Sequence, residues 1–186
     1  MGSESGRDSI NGSNLVTIGH NAILNDTNAN NTIVIGCNAT GRGNNSITLG
    51  NYSITSLWCA TPHIQTFSDE RVKKDIQDST LGLEFIQNLR PISYKNVNPA
   101  DYPEPLLEKR FQGDAPEYRP EENDTRYEGL IAQEVEQTLI DMGETWSGHN
   151  IDENNGMQSL KYGALVIPLI KAVQELKSEN EALKKL

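Results

Sequence analysis

The 186-residue chain has two cysteines, three histidines, 6% aromatic residues and 16 basic against 26 acidic side chains, for a formal net charge of −10. Each shortage excludes something. Cys37 and Cys59 are too few and too isolated for a disulfide framework, and no CxxC or paired-histidine spacing points to zinc. Both are expected to be small buried hydrophobes, and Pro62 argues against a metal shared by Cys59 and His63. The scarcity of Lys and Arg argues against nucleic acid, whose phosphates are bound by cations that displace counterions, and against anionic membranes. No run approaches the roughly 18 apolar residues that span a bilayer, and the N-terminus lacks the basic and apolar regions of a signal peptide. Phosphate loops, GxSxG, GxGxxG and HExxH are absent, and His20, His63 and His149 lie in different regions, which disfavours a Ser/His/Asp triad. No cofactor and no metal is expected. Hydrophobic residues make up only 35% of the chain, so the core is expected to be completed by other subunits.

What is present changes character near residue 67. Residues 1–67 hold five charged side chains (Glu4, Arg7, Asp8, Asp26, Arg42) and eleven Asn, whereas residues 68–186 hold 23 acidic and 14 basic ones. The first ten residues, MGSESGRDSI, read as a polar leader outside the fold. Leu15-Val16-Thr17-Ile18-Gly19, Ile33-Val34-Ile35-Gly36 and Ile47-Thr48-Leu49-Gly50 then form three β-branched runs, each closed by Gly and separated by Asn-rich turns. Their glycines are 17 and 14 residues apart, a spacing that suits one strand and one turn per unit. Asn and Gly supply the positive φ of tight turns. A small antiparallel sheet is one reading; a β-helical stalk over residues 11–67, each repeat burying its apolar side against neighbouring repeats or chains, is the favoured one.

From residue 68 the texture is α+β. Asp78 or Ser79 is placed to cap a short helix through Leu83, Ile86 and Leu89 that ends before Pro91. Pro91–Val97 and Arg126–Ile131 read as strands, Ala132–Leu139 as a helix and 143–156 as a polar loop. Residues 98–124 hold five of the eight prolines and eight acidic residues; such a segment cannot fold by itself and reads as an extended arm. The final helix, 164–186, places Val166, Val173 and Asn180 at one heptad position and Leu169, Leu176 and Leu183 three residues later. It is either an amphipathic helix docked on its own domain or a coiled coil; the strict seven-residue step favours the coiled coil.

One constellation can carry chemistry: Ser68, Asp69, Arg71 and Lys73 in SDERVKKDI, at the change of texture. A serine hydroxyl is a poor nucleophile until a base takes its proton, and lysine serves if burial or a nearby cation favours its neutral form. Arg71 and Lys74 are candidates for that cation, with Asp69, Glu70 and Asp75 acting against it. On these residues alone, a solvated charged face or a capped helix start is the bland alternative.

SDERVKKDI, followed by LEFIQNLRPISYK, YEGLIAQEVEQ and LKYGALVIPLIKAVQELKSENEALKKL, resembles the C-terminal intramolecular chaperone domain of phage tailspikes and tail fibres, found in endosialidases and neck-appendage proteins. The resemblance implies an intertwined homotrimer, with residues 68–186 as the chaperone domain and 11–67 as the end of a triple β-helix whose folding it guides. It implies autoproteolysis, a single-turnover serine endopeptidase step with Ser68 as nucleophile and Lys73 as general base, flanked by Phe67, Asp69 and Arg71. The cut falls at Phe67–Ser68 or at Ser68–Asp69, the resemblance favouring the second. Its partners would be its own copies and its own stalk, its setting the host cytoplasm during virion assembly, with the mature stalk kept in the tail. A non-cleaving trimeric tail-tip module for receptor binding is the competing function.

Overall fold

The structure, a computed structural model, describes residues 2–60, 65–108, 111–112, 124–152 and 155–185. They fall into two units: one built from residues up to Cys59 with 96–124 and 152–156, the other from 60–95, 125–151 and 157–186. The first therefore takes in the described part of the arm and breaks off eight residues before Phe67.

The first unit follows from its corners. Asn14, Asn31 and Asn45 take positive φ (55°, 53°, 55°) at the start of each strand, and Gly19, Gly36 and Gly50 do so at the end (126°, 135°, 82°). Asparagine tolerates the left-handed region and glycine has no Cβ to exclude it. At Gly36 a Cβ would come within 2.9 Å of Gly50 Cα, so no other residue closes that corner. Between the corners run β1 (Ser13–Ile18), β2 (Asn30–Ile35) and β3 (Ser46–Leu49), paired in parallel in the order β1-β2-β3. The antiparallel alternative is thus excluded for these strands. Asparagine side chains repeat the ladder outside the sheet, Asn31 Nδ2 donating to Asn45 Oδ1 at 2.9 Å and Asn21 Nδ2 to Asn38 Oδ1 at 2.8 Å.

Residues 2–10 are not a leader outside this fold. Asn21 N–H donates to Ser3 O at 2.9 Å, Gly6 N–H to Ala22 O at 2.9 Å and Ile10 N–H to Thr27 O at 3.0 Å, and Glu4 repeats the positive φ of Asn21 and Asn38. The reason is the same 17-residue step, hidden because Glu4 and Ser5 stand where Asn and Ala stand in the later coils.

The interior of the stack is small: Ala22, Leu24, Ala29, Val34 and Ala39, with Leu15 against them. The opposite face of the sheet is more apolar than the inner one. Val16, Ile33 and Ile47 align across the strands, as do Ile18, Ile35 and Leu49, and all but half-buried Ile33 are exposed. Cys37 and Cys59 are exposed as well, contrary to the burial expected of them. Cys37 follows a corner glycine and Cys59 lies in a non-helical, non-strand stretch of exposed residues from 52 to 60, so neither reaches an interior.

The second unit packs α1 (Leu83–Asn88) between α2 (Ala132–Met142) and α3 (Val166–Leu183), beside an antiparallel pair β4 (Ile92–Tyr94) and β5 (Tyr127–Gly129). Leu81, Phe85, Val135 and Leu139 form its core, with Leu130, Trp146, Leu160 and Leu165 against them. Trp146 meets Phe85 edge-on, ring centroids 5.7 Å apart. Within the stretch expected to be a loop, 143–156, lies β6 (His149–Ile151), which pairs with β7 (Gln158–Leu160) just beyond it; such three-residue strands carry no alternation strong enough to read.

Helix α1 is not capped by Asp78 or Ser79. It begins later, after Gly82, and its Leu83 N–H donates to the Glu175 carboxylate of α3 at 2.6 Å. A Cβ at position 82 would collide with that carboxylate, which accounts for glycine there. In α3, Pro168 stands in the first turn, where its missing N–H has no partner to lose. Pro168 and Ala172 are buried and Glu175 caps α1, so this row of α3 docks within the unit. The heptad row, Val166, Leu169, Val173, Leu176 and Leu183, is exposed.

Phe85 is fully buried, so Phe85→Ala should destabilise the second unit by about 3–5 kcal/mol, read from urea unfolding. The Glu175 carboxyl is held below its ordinary 4.5 chiefly by the Leu83 N–H, with burial opposing and Lys171 assisting. Its contribution is present in full above that ordinary value and lost as pH falls through the lowered one. Glu175→Gln should therefore lower the melting temperature at neutral pH and shrink its drop on acidification, measured by thermal melts at pH 7 and pH 3.

Candidate active site

The candidate site is built by one tight turn. Residues Glu70–Val72 form a 3-10 turn whose N-cap is Asp69, its side chain accepting from Arg71 N–H at 2.9 Å. Val72 N–H donates to Asp69 O at 3.1 Å and Lys73 N–H to Glu70 O at 3.0 Å. Short acidic side chains favour such caps because their oxygens reach a backbone N–H two residues on. The turn reverses the chain enough to bring Lys73, five residues on, back to Ser68. The Lys73 ammonium donates to Ser68 Oγ at 2.9 Å.

The other two motif residues form a separate pair. Arg71 Nε donates to Asp69 Oδ1 at 2.9 Å and Nη2 to Oδ2 at 2.7 Å, a fork-on-carboxylate geometry that adds direction to charge attraction. Arg71 holds the Asp69 carboxyl below its ordinary range, through its side chain first and its backbone N–H second. The guanidinium expected to stand beside Lys73 as a perturbing cation is therefore engaged with Asp69. The cap is Asp69 and not Ser68, which leaves the serine hydroxyl to the lysine.

Residues 65–80 are exposed throughout, Phe67 at 96%. Lysine acts as a base only where loss of water disfavours the ammonium, and the chain by itself does not enclose this pair. His149 Nε2 bonds to Gln158 Oε1 at 2.9 Å, and His63 lies outside the described residues. Among the described residues no cluster of His, Cys, Asp and Glu could hold a metal, and no helix is long and apolar enough to cross a membrane. The residue that sequence reading missed is Glu175. It lies 92 positions from the backbone it caps, with no local signal.

Residues 68–144 match the family model described as the chaperone of endosialidase, a family that carries a peptidase label. Over these residues the chain is similar to that family, in line with the resemblance drawn from its sequence motifs. The match opens on Ser68. The last block of the resemblance, from Leu160 onward, lies outside the matched range. No curated protein and no solved structure matched the chain.

A carboxyl-carbon NMR titration of Asp69 should give a midpoint below the ordinary 3.8, and Arg71→Ala should move it upward. The clamp is intact above that range and lost as pH falls through the lowered midpoint.

Proposed function

We propose that the chain trimerises, guides its own N-terminal coils into a β-helical stalk, and then cuts itself beside Ser68, with Lys73 as general base. The observation that carries the cleavage step is the 2.9 Å contact between Lys73 Nζ and Ser68 Oγ, at the residue where the family match begins. In the reacting state Lys73 is a neutral amine. It takes the hydroxyl proton as Oγ adds to a carbonyl, and returns it to the departing backbone nitrogen; water then hydrolyses the ester, freeing Ser68 Oγ and leaving a carboxylate.

Ring size separates the two scissile bonds. Attack by Oγ on the Phe67 carbonyl passes through a five-membered ring and is open to a single chain. Attack on the serine's own carbonyl would need a four-membered ring, so a cut at Ser68–Asp69, the bond the resemblance favours, calls for a hydroxyl from another copy.

Trimerisation is supported by two apolar surfaces that the single chain leaves bare: the heptad row of α3 and the outer face of β1–β3. Parallel sheets occur almost only with both faces covered. Three such sheets facing one another would bury Val16, Ile18, Ile33, Ile35, Ile47 and Leu49. Closing the assembly would also take water from residues 65–80 and so switch on the lysine, tying the cut to completed folding. Tethering three chains at α3 turns the search for strand register into an intramolecular one.

Expression of the full chain should yield fragments 1–67 and 68–186, or 1–68 and 69–186, resolved by mass spectrometry as differing by one serine. Ser68→Ala and Lys73→Ala should stay intact and still trimerise; cleavage of Ser68→Ala at the same bond refutes the assignment. Val173→Asp with Leu176→Asp should raise the trimer dissociation constant at least about a hundredfold, measured by sedimentation equilibrium, and slow the cut.

A further inference from the structure

The last coil of the stack is three residues shorter than the one before it, 14 against 17 between equivalent corners. Ile23 and Thr40 still pair across the stack, and Asn30 N–H again meets its counterpart, bonding to Asn44 Oδ1 at 2.7 Å. The missing residues therefore fall between positions 41 and 44, where the preceding coil has 24 to 30. Gly41 fits this shortened turn because a Cβ would stand 3.1 Å from Val34 Cγ2. The residue it presents there is Arg42.

An acidic side chain of the arm is buried against that turn. Glu108, 2% exposed, places Oε1 3.1 Å from Arg42 Nη2 and accepts from Tyr52 OH at 2.8 Å. Arg42 Nη2 also donates to Tyr52 OH, and its guanidinium stacks over the Tyr52 ring, 5.5 Å from the centroid. Tyr102, also of the arm, meets the Tyr52 ring edge-on at 6.1 Å. All four residues belong to the first unit. Arg42 and Tyr52 come from the turns before and after β3, so both reach Glu108 only when β3 is laid down in register.

We propose that Glu108 is a register check, an arm residue whose carboxylate can be buried only against a correctly wound last coil, so that the arm locks after β3 has paired with β2 in its native alignment. Removing a carboxylate from water is costly unless a partner charge and hydrogen bonds replace it. A slip of β3 by one residue would turn its side chains to the opposite face and shift Tyr52 relative to Arg42. The arm would then face an unmatched charge instead of a socket. The electrostatics agree with the geometry: burial, with Glu108 adding, pushes the Tyr52 phenol up against the pull of Arg42. Burial works against the Arg42 charge, yet the Tyr52 and Glu108 oxygens hold it above its ordinary value. The role as a check on folding rests on the chaperone reading above; the lock itself does not.

Hydrogen exchange followed by mass spectrometry on the full chain tests the lock. Glu108→Ala should lower protection of residues 99–108 at least about tenfold, the scale of a lost charge-assisted hydrogen bond, while β1 and β2 stay protected. Glu108→Gln, which keeps an acceptor for Tyr52 and loses the charge, should lie between. Arg42→Gln combined with Glu108→Gln should cost less protection than the two separate losses together. Unchanged arm protection in Glu108→Ala, or strictly additive effects, overturns the lock. For the check, the yield of correctly cleaved trimer on refolding should fall severalfold in Glu108→Gln; an unchanged yield overturns it. If the parent chain is never cut, the protease reading fails while the exchange result still decides the lock.

Discussion

A parallel sheet has to be covered on both faces, and the three strands of this chain can cover one of them. The inner face, with Leu15, Thr32 and Val34 of the strands, is closed by Ala22, Leu24, Ala29 and Ala39 from the turns; the outer face carries six aliphatic side chains in register. Most of the molecule's other oddities follow from that imbalance. The low hydrophobic content goes with an apolar surface gathered into stripes. The α3 helix does the same thing in its own geometry, using its Pro168, Ala172 and Glu175 row for its own unit and leaving a second row bare.

The Ser68 turn shows the same economy in chemistry. Its geometry is complete in a single chain, since Asp69 caps the turn, Arg71 is drawn to Asp69, and Lys73 is left with the serine. What is missing is a dry environment. On the self-cleaving reading proposed above, separating geometry from desolvation would hold the reaction in check: Ser68 and Lys73 would be positioned early, and their reactivity would wait on surfaces closing around them.

Much of this was legible in the sequence, for definable reasons. The Gly19, Gly36, Gly50 period and its Asn-rich turns point to short repeated strands because positive φ restricts the residue types so sharply. The Ala132 helix could be placed from Val135 and Leu139, four apart, and it runs on to Met142 before Gly143 ends it in a left-handed turn (φ 68°). The Ser68–Lys73 contact was suggested by spacing and resemblance together. Other features had no local trace. Glu175 looks like any outward acidic residue of a coiled coil, and its role depends on a backbone group 92 positions away. Glu108 sits in an acidic, proline-rich stretch that reads as solvated, yet it is among the most buried side chains. Cys37 was misjudged because cysteine is usually buried, and here the corner geometry overrides the residue's preference.

The three-residue difference between the last coil and the one before it also gives the stack a direction. Losing three residues of contour removes roughly 10 Å of perimeter, so the stack tapers from β1 towards β3. A uniform ladder of repeats offers the same edge at both ends and can be extended indefinitely, which is how strand-rich assemblies become fibres. On the tapered side an incoming full-width coil meets a rim too small to match it, with Arg42 at the narrowing. The taper would thereby act as a terminus written into the backbone, disfavouring growth of the ladder at that end.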